Sequence, residues 1–352
     1  MLNSLDFMKK MITTAGLSGF ESPIREIIRE TWEPLTDALT VSNIGSLHGF
    51  KQGVGDEPRK RVLISAHMDA IGMMVTEIKD GFLRITEIGG IDHRILPGQP
   101  VVVHGREELP GLVVQPPSHL LPKEAGTGPV EMKYLLVDVG LEPKDVAEKV
   151  RVGDLVAYAQ APLELTGEAL AGHSLDNRVS VAAVTLCLEA LQNRLHEWDV
   201  WAVASVQEEE TLGGARTSPF DIRPELAIVI DVCFAKSFGS TDWRSMPFGD
   251  GVGLGYGPNI HPALYDALEK QAKSLEIPYH RDLMPRMSGT DAMGIQVVAE
   301  GIPCMVLGIP LRYMHTAVET VSLKDIRRAG RLMAEFITSL TPDFLEQIKW
   351  ED

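Results

Sequence analysis

The sequence is poor in cysteine. Its 352 residues include three, Cys187, Cys233 and Cys304, which are widely spaced and lie in apolar surroundings. This pattern argues against a disulfide framework and against a thiolate zinc site, because both need grouped cysteines. We therefore expect the three thiols to behave as small hydrophobic side chains in the core.

The sequence also lacks long apolar runs and has fewer basic than acidic residues. No stretch approaches the roughly 20 residues that a membrane-spanning helix needs, and residues 1–10 lack the basic-then-apolar order of a signal peptide. These absences predict a cytoplasmic protein. The 33 lysines and arginines are outnumbered by 49 aspartates and glutamates, a formal net charge of −16, which disfavours nucleic acids and anionic membranes as partners.

Two common catalytic motifs are missing as well. No Gly-x-Ser-x-Gly motif occurs, which disfavours a serine hydrolase. The glycine-rich residues 251–257 have neither the spacing of a dinucleotide-binding loop nor a following Lys-Ser or Lys-Thr, so a flexible loop is favoured over a phosphate-binding one. With 44% hydrophobic residues, the chain can nevertheless bury a large core.

The hydrophobic pattern divides the chain into three stretches. Residues 1–71 contain helical segments followed by extended ones, whereas residues 72–164 contain short alternating apolar runs between Gly and Pro, typical of a small β-rich domain. From residue 165 strands alternate with helices, which indicates an α/β domain with a central, mostly parallel sheet flanked by helices. We predict one α/β domain of residues 1–71 and 165–352, interrupted by an inserted β-rich domain of residues 72–164.

Individual elements can be predicted in the α/β part. Apolar periodicity predicts helices over residues 179–191, 262–274 and 323–340 and strands over residues 200–206, 226–231 and 304–309. Ser322 and Asp325 are placed to form a capping box at the last helix. Within the β-rich stretch, Pro, Gly and Ser predict a mobile loop over residues 116–130.

The most informative motif follows the apolar, β-branched residues 62–66, where His67 and Asp69 stand two residues apart. Side chains at this spacing on a strand point the same way, so Asp69 can reach the imidazole of His67 and fix its tautomer. A histidine beside an aspartate is also common by chance. The pair alone therefore does not establish a metal site.

Further histidines and carboxylates stand where predicted strands end, which is where ligands collect in open α/β sheets. The groups are His67 with Asp69, Asp176, Glu208 with Glu209, Asp231 and His315. Two histidines and three carboxylates can hold two divalent ions if one carboxylate bridges them. Zinc suits that donor set best, and cobalt or manganese can replace it. A further carboxylate, Glu208 or its neighbour, would then be free to act as general base.

Each group also has a structural interpretation. Asp176 can cap the helix that follows it, residues 208–210 can form a solvated acidic turn, and His315 alone can be a histidine with a satisfied partner. Asp231 ends an apolar run and needs a partner if it is buried. The conjunction of all the groups at strand ends favours a metallohydrolase.

In order along the chain, these motifs resemble metallopeptidase family 42, the tetrahedral aminopeptidases, which include glutamyl aminopeptidases and endoglucanase-like proteins. The resemblance covers essentially the whole chain and rests on Ala66-His-Met-Asp69 with Ile71-Gly72, Ser174-Leu-Asp-Asn-Arg178, Val206-Gln-Glu-Glu209, Asp231-Val232, Gly289-Thr-Asp-Ala292 and Ile309-Pro-Leu-Arg-Tyr-Met-His315. It implies a catalytic α/β domain resembling zinc exopeptidases, interrupted by a small PDZ-like β domain used in oligomerisation. Members of the family commonly build hollow tetrahedra of twelve subunits, so self-association is expected.

The resemblance also implies a role for each residue. It assigns five residues to two metal sites: Asp176 as the bridge, His67 and Asp231 on one side, Glu209 and His315 on the other. Glu208 would be the general base and Asp69 would orient the imidazole of His67. A water shared by the two metals would attack the first peptide bond, so the expected function is removal of N-terminal residues from peptides.

Two other functions are compatible with the same set of metal-binding residues. A metal-dependent deacylase acting on a small non-peptide amide would use identical chemistry, and a metal-stabilised scaffold would need no turnover. A glycosidase is disfavoured, because adjacent glutamates are not an obvious pair flanking a sugar bond. The chain departs from the family pattern at Ala70, Glu210 and Gly213, which removes no implied ligand but leaves the substrate preference open.

Overall fold

The computed structural model describes residues 3–123 and 128–348. The strands are β1 (Ala38–Val41), β2 (Leu47–Lys51), β3 (Arg61–His67), β4 (Gly72–Lys79), β5 (Phe82–Ile88), β6 (Pro100–His104), β7 (Glu108–Val114), β8 (Leu136–Asp138), β9 (Leu155–Tyr158), β10 (Leu163–Leu165), β11 (Ala169–Gly172), β12 (Asp199–Ser205), β13 (Leu226–Phe234), β14 (Val252–Tyr256), β15 (Tyr279–Leu283), β16 (Cys304–Arg312) and β17 (Glu319–Ser322). The helices are α1 (Ser4–Ile12), α2 (Ser22–Trp32), α3 (Pro143–Lys149), α4 (Leu175–Leu191), α5 (Gly213–Ile222), α6 (Pro262–Ser274), α7 (Ala292–Ile295), α8 (Leu323–Ser339) and α9 (Phe344–Gln347).

A large sheet forms the main α/β domain and has eleven strands within the described residues. Its order is β1-β2-β12-β3-β13-β16-β17-β11-β10, and β14 pairs with β16 and with β15. The four central strands β12, β3, β13 and β16 are parallel neighbours. The other pairs of this sheet are antiparallel, except that β14 and β15 pair parallel. The apolar runs predicted as strands form this parallel centre, because strands covered on both faces are apolar throughout. The predicted fold class, a helix-flanked central sheet with a small β domain, is confirmed.

Several element boundaries differ from those predicted. The helix predicted over residues 262–274 has the predicted bounds and is α6. The strands β13 and β16 begin where they were predicted to begin, but each continues for three residues beyond its predicted end. The predicted capping box at α8 is wrong. Ser322 makes no side-chain capping bond, and the Asp325 carboxylate accepts the backbone N–H groups of Gly249 and Gly251 instead.

Six strands between Gly72 and Tyr158 close a small barrel in the order β4-β5-β8-β7-β6-β9. The barrel has an apolar core of its own, which includes Val75, Ile85 and Leu135. Its first strand begins five residues after His67, so the loop at the end of β3 leads directly into it. Of the loop predicted over residues 116–130, residues 124–127 lie outside the described residues. The limits of the predicted insertion stay a prediction.

The three cysteines are free and buried, which confirms the prediction that they act as core side chains. In the described part of the chain, no helix is long and apolar enough to cross a membrane.

Candidate metal centre

The residues predicted to form a metal site meet at one edge of the large sheet, where the parallel strands end. They are His67 at the end of β3, Asp69 in the next loop, Asp176 near the start of α4, Glu208 and Glu209 after β12, Asp231 within β13 and His315 after β16. Parallel strands present their carboxyl ends at the same edge. This topology brings residues together from five separate parts of the sequence.

Asp176 lies between the two histidines. Its Oδ1 is 3.3 Å from the Nε2 of His67, and its Oδ2 is 3.4 Å from the Nε2 of His315. Asp176 also departs from helical geometry, with φ −75° and ψ 106°, so it does not act as an ordinary residue of the first helical turn. The two carboxylate oxygens face two different imidazoles, which is the arrangement a bridging carboxylate requires.

The other carboxylates divide between the two histidines. The Nε2 of His67 lies 3.8 Å from Oε2 of Glu208 and 3.9 Å from Oδ1 of Asp231. The Nε2 of His315 lies 3.4 Å from Oε2 of Glu209. Each imidazole nitrogen therefore faces Asp176 and at least one further carboxylate.

Asp69 holds the other side of His67 and the glutamate pair. The Nδ1 of His67 lies 3.2 Å from the main-chain oxygen of Asp69 and 3.5 Å from its Oδ1. The same carboxylate accepts the backbone N–H of Glu208 at 3.1 Å and that of Glu209 at 3.2 Å. Asp69 is fully buried, so one side chain fixes the loops after β3 and after β12 relative to each other.

Three loops at the site adopt left-handed backbone. The φ angles are 58° at Ser174, 59° at Gln207 and 62° at His315. Such a conformation costs about 1 kcal/mol or more for a residue with a side chain. It persists where neighbouring contacts determine the loop, and at all three places it orients a predicted site residue.

Glu319 was not predicted from the sequence, although it connects two of the site residues. Its Oε2 accepts the backbone N–H of Asp176 at 3.1 Å, and its Oε1 accepts that of His315 at 2.8 Å. Burial, followed by the charge of Asp176, raises the pKa of Glu319 to about 8. No local signal in the sequence marked it, since β17 reads Glu-Thr-Val-Ser, although all four of these residues are buried.

Asp291 and Arg178 support the site from behind. The Oδ2 of Asp291 accepts the hydroxyls of Ser65 at 2.8 Å and Ser205 at 2.5 Å, which ties α7 to the ends of β3 and β12. The buried guanidinium of Arg178 donates to the main-chain oxygen of Met68 and to oxygens of the loop before α2. Both residues belong to motifs that carry the family resemblance, but neither residue was assigned a role from the sequence.

The site buries several carboxyl groups close together, which disfavours their ionised forms unless a cation is bound. Burial raises the pKa of Glu208 to about 8 and that of Glu209 to about 8, and it raises the pKa of Asp231 well above its ordinary value. Although burial opposes it, the hydrogen bond to Asp176 and the charge of Glu209 raise the pKa of His315 to about 9. The electrostatics therefore favour a bound cation.

Comparison with known proteins decides the family. A model of the family described as M42 glutamyl aminopeptidase matches residues 45–332. The chain belongs to the M42 family. It is accordingly an aminopeptidase, a hydrolase of peptide bonds, as predicted from its motifs.

Relatives of this M42 protein match it over nearly their full length. It is 34% identical to the lysyl aminopeptidase of Pyrococcus furiosus, an alignment that covers 96% of this chain and 97% of that protein. The TET aminopeptidase of a marine sediment Thaumarchaeota archaeon has a TM-score of 0.93 at 29% identity, with 98% and 99% covered. The Pyrococcus horikoshii TET1 peptidase, which can assemble into a tetrahedron or a large octahedral shell, has a TM-score of 0.83 at 26% identity, with 96% and 100% covered.

M42 peptidases are metallopeptidases, and the residues of this chain fit a divalent ion. Ligand atoms of His67, Asp176 and Glu209 lie within 4.8 Å of one another. The Oε1 of Glu209 is buried and has no hydrogen-bond partner among the described residues, which leaves a lone pair for a cation. Imidazole nitrogens with carboxylate oxygens are the donors that zinc, cobalt and manganese accept.

The structure shows what surrounds the three positions that depart from the M42 pattern. Ala70 is buried, and it exchanges backbone hydrogen bonds with Gly16 and Ser18. Glu210 is exposed, and its Oε1 accepts the backbone N–H of Gly89 at 2.6 Å, so it connects the glutamate turn to the end of β5 in the barrel. Gly213 opens α5, where a Cβ atom would come within 2.7 Å of the Oε1 of Gln207.

Proposed function

We propose that this M42 protein is a dinuclear metal-dependent aminopeptidase that removes N-terminal residues from peptides. The position of Asp176 carries the proposal, because its two oxygens face His67 and His315 at 3.3 and 3.4 Å. Asp176 would bridge two ions, with His67 and Asp231 completing one site and Glu209 and His315 the other. Zinc suits these donors best, and cobalt or manganese can replace it.

The bound ions would supply Lewis-acid chemistry, which polarises a carbonyl group and makes a water molecule more acidic. Glu208 would act as general base. It would take a proton from the attacking water and pass that proton to the leaving amine when the peptide bond breaks. The position of Glu208 supports this role, because its carboxylate lines the same cavity as His67 and Asp176 and its Oε2 lies 3.8 Å from the Nε2 of His67.

Two residues would position this machinery without touching the reacting atoms. Asp69 would keep His67 and the backbone of Glu208 in place, and Glu319 would do the same for Asp176 and His315. The surrounding carboxylates would also attract the free α-amine of a substrate, which favours an exopeptidase over an endopeptidase.

Self-association belongs to the same proposal. Two relatives are TET peptidases, one of which assembles into closed shells. We infer that this chain also forms a homo-oligomer, with the barrel serving as the oligomerisation domain. The resemblance to the family makes a dodecamer the expected assembly. Light scattering of the purified protein tests this, since a stable monomer would contradict it.

The test of function compares unblocked peptides with the same peptides carrying an N-acetyl group, using metal-loaded protein. Wild type should cleave only the unblocked set, and Glu208→Gln should lower kcat by about 10²-fold to 10⁴-fold. Glu210→Gln is the matched control in the same turn and should retain activity. Release of the acetyl group or of another non-peptide acyl group would favour a deacylase, and no turnover by metal-loaded protein would favour a scaffold.

A further inference from the structure

The cavity in front of the metal centre contains an acidic residue that the proposed mechanism does not use. This cavity has a volume of about 720 Å³, and Asp282 lines it together with His67, Asp176 and Glu208. Asp282 belongs to β15 and is 7% exposed. Among the described residues, its carboxylate has no hydrogen bond and no ion pair.

The register of the sheet places Asp282 on the same face as the metal centre. Asp231 of β13 pairs with Gly308 of β16, Gly308 pairs with Gly253 of β14, and Asp282 pairs with Gly255 two residues farther along β14. Paired residues, and residues two apart, point to the same face of a sheet. Asp231 and Asp282 therefore both point into the cavity from one continuous floor.

Two glycines allow the side chains of Asp282 and Cys233 to lie close against the floor of the cavity. A Cβ atom at Gly253 or at Gly308 would lie 3.6 Å from the Oδ2 of Asp282, and it would lie closer still to the Sγ of Cys233, at 3.3 Å and 2.9 Å respectively. The Asp282 carboxylate therefore extends from β15 across β14 to Gly308 of β16, the strand that pairs with β13.

The charge of Asp282 is unbalanced. Burial raises its pKa to about 6, so the carboxylate is largely ionised at neutral pH although it lacks a cationic partner. Arg244 and Arg286 line the same cavity, but both are exposed, so water screens their charges. A cation that reached the floor would meet the buried carboxylate of Asp282 with much less screening.

We propose that Asp282 binds the side chain of a basic N-terminal residue, lysine or arginine, in the peptide substrate. The inference rests on the proposed function, in which the N-terminal residue is held at the metal centre. The Oδ2 of Asp282 comes within 3.6 Å of the Cβ position of Gly308 on β16, the strand next to β13, so a lysine or arginine side chain that starts at the metal centre is long enough to reach it. Met284 and Met287 also line the cavity and offer apolar contacts to the methylene groups of such a side chain.

The test compares dipeptides that begin with lysine or with norleucine, because norleucine matches the lysine chain without its ammonium group. The metal-loaded wild type should cleave the lysyl dipeptide with a kcat/KM at least about tenfold higher. Asp282→Asn should lower the ratio of the two kcat/KM values at least about tenfold. The matched control Asp266→Asn removes the same charge from the exposed face of α6 and should leave the ratio unchanged.

Binding of the two free amino acids gives a second readout that does not depend on turnover. Calorimetry should find that L-lysine binds wild type more tightly than L-norleucine, and that Asp282→Asn abolishes the difference. The variant should unfold at the same temperature as wild type or higher, because the substitution removes an unpaired buried charge. This result would show that lost selectivity is not caused by misfolding.

The outcomes separate this inference from the proposed function. Cleavage of the norleucyl dipeptide with no preference for lysine, or a lysine preference that survives in Asp282→Asn, would overturn the role of Asp282 and leave the aminopeptidase proposal standing. Failure of metal-loaded wild type to cleave either dipeptide would overturn both.

Discussion

The metal centre and the small barrel differ in where their charged side chains lie. In the barrel the core is apolar, and charged pairs such as Arg84 with Glu77 lie on the surface. At the metal centre, Asp69, Asp176 and Asp231 are buried side by side. Burying carboxylates together costs stability unless a cation balances them. The comparison teaches that the barrel is built for packing and the sheet edge for binding.

Removal of metal should produce the largest difference between the two regions. A chelator is expected to abolish aminopeptidase activity and to lower the unfolding temperature, because a ligand held at 100 times its Kd stabilises the folded state by about 2.7 kcal/mol. Activity assays and calorimetry before and after adding back zinc measure both effects. Full activity after chelation, with metal shown to be absent, would contradict the account.

A cavity in the barrel core should reduce stability without changing the metal centre. Leu135 is fully buried in that core, so Leu135→Ala should lower the free energy of unfolding of the barrel by about 2–5 kcal/mol. Denaturant titration measures the loss, and metal titration at low temperature should give the wild-type affinity. A large loss of metal affinity would show that the two regions are not independent.

Glu319→Gln should affect the metal centre with less effect on stability. The substitution keeps the shape of the side chain but weakens its hold on the backbone of Asp176 and His315, and residues that support metal ligands typically contribute about 10-fold to 100-fold in metal affinity or activity. Competition with a chromogenic chelator measures the affinity. Glu164→Gln changes an exposed residue and is the control. Equal metal affinities in the two variants would contradict the proposed role of Glu319 in holding Asp176 and His315.

The smallest effect is expected on the barrel surface. Glu77 and Arg84 form an ion pair of 2.8 Å in which both side chains are more than one third exposed, and such pairs contribute about 1 kcal/mol or less. Glu77→Gln should therefore change the free energy of unfolding by no more than that in a denaturant titration. A change of several kcal/mol would contradict the surface role assigned to this pair.

The sequence predicted those parts of the fold and site that have a local signal. The central strands are apolar runs. His67 ends β3, and Asp231 follows the apolar residues that begin β13. The roles of Glu319 and Asp282 depend on which strands become neighbours and in what register, which no local pattern specifies. The approach of the Asp282 carboxylate to Gly253 and Gly308 has the same origin, because it arises only when β15, β14 and β16 are aligned.

The capping box predicted at Asp325 shows the limit of local signals in the other direction. The spacing from Ser322 fits the motif, but tertiary structure brings the backbone of Gly249 and Gly251 within reach of the carboxylate. A partner from a distant segment replaced the local one. The departure at Glu210 is similar, since its contact with Gly89 lies across the boundary between the sheet edge and the barrel.

The central claim is that Asp176 bridges two metal ions. Crystals of wild type and of Asp176→Ala, both grown with zinc, should be compared by anomalous diffraction at the zinc edge. The account predicts two peaks in wild type, one beside His67 and one beside His315, and loss of at least one peak in the variant. A single peak in wild type, or two full peaks in Asp176→Ala, would contradict it.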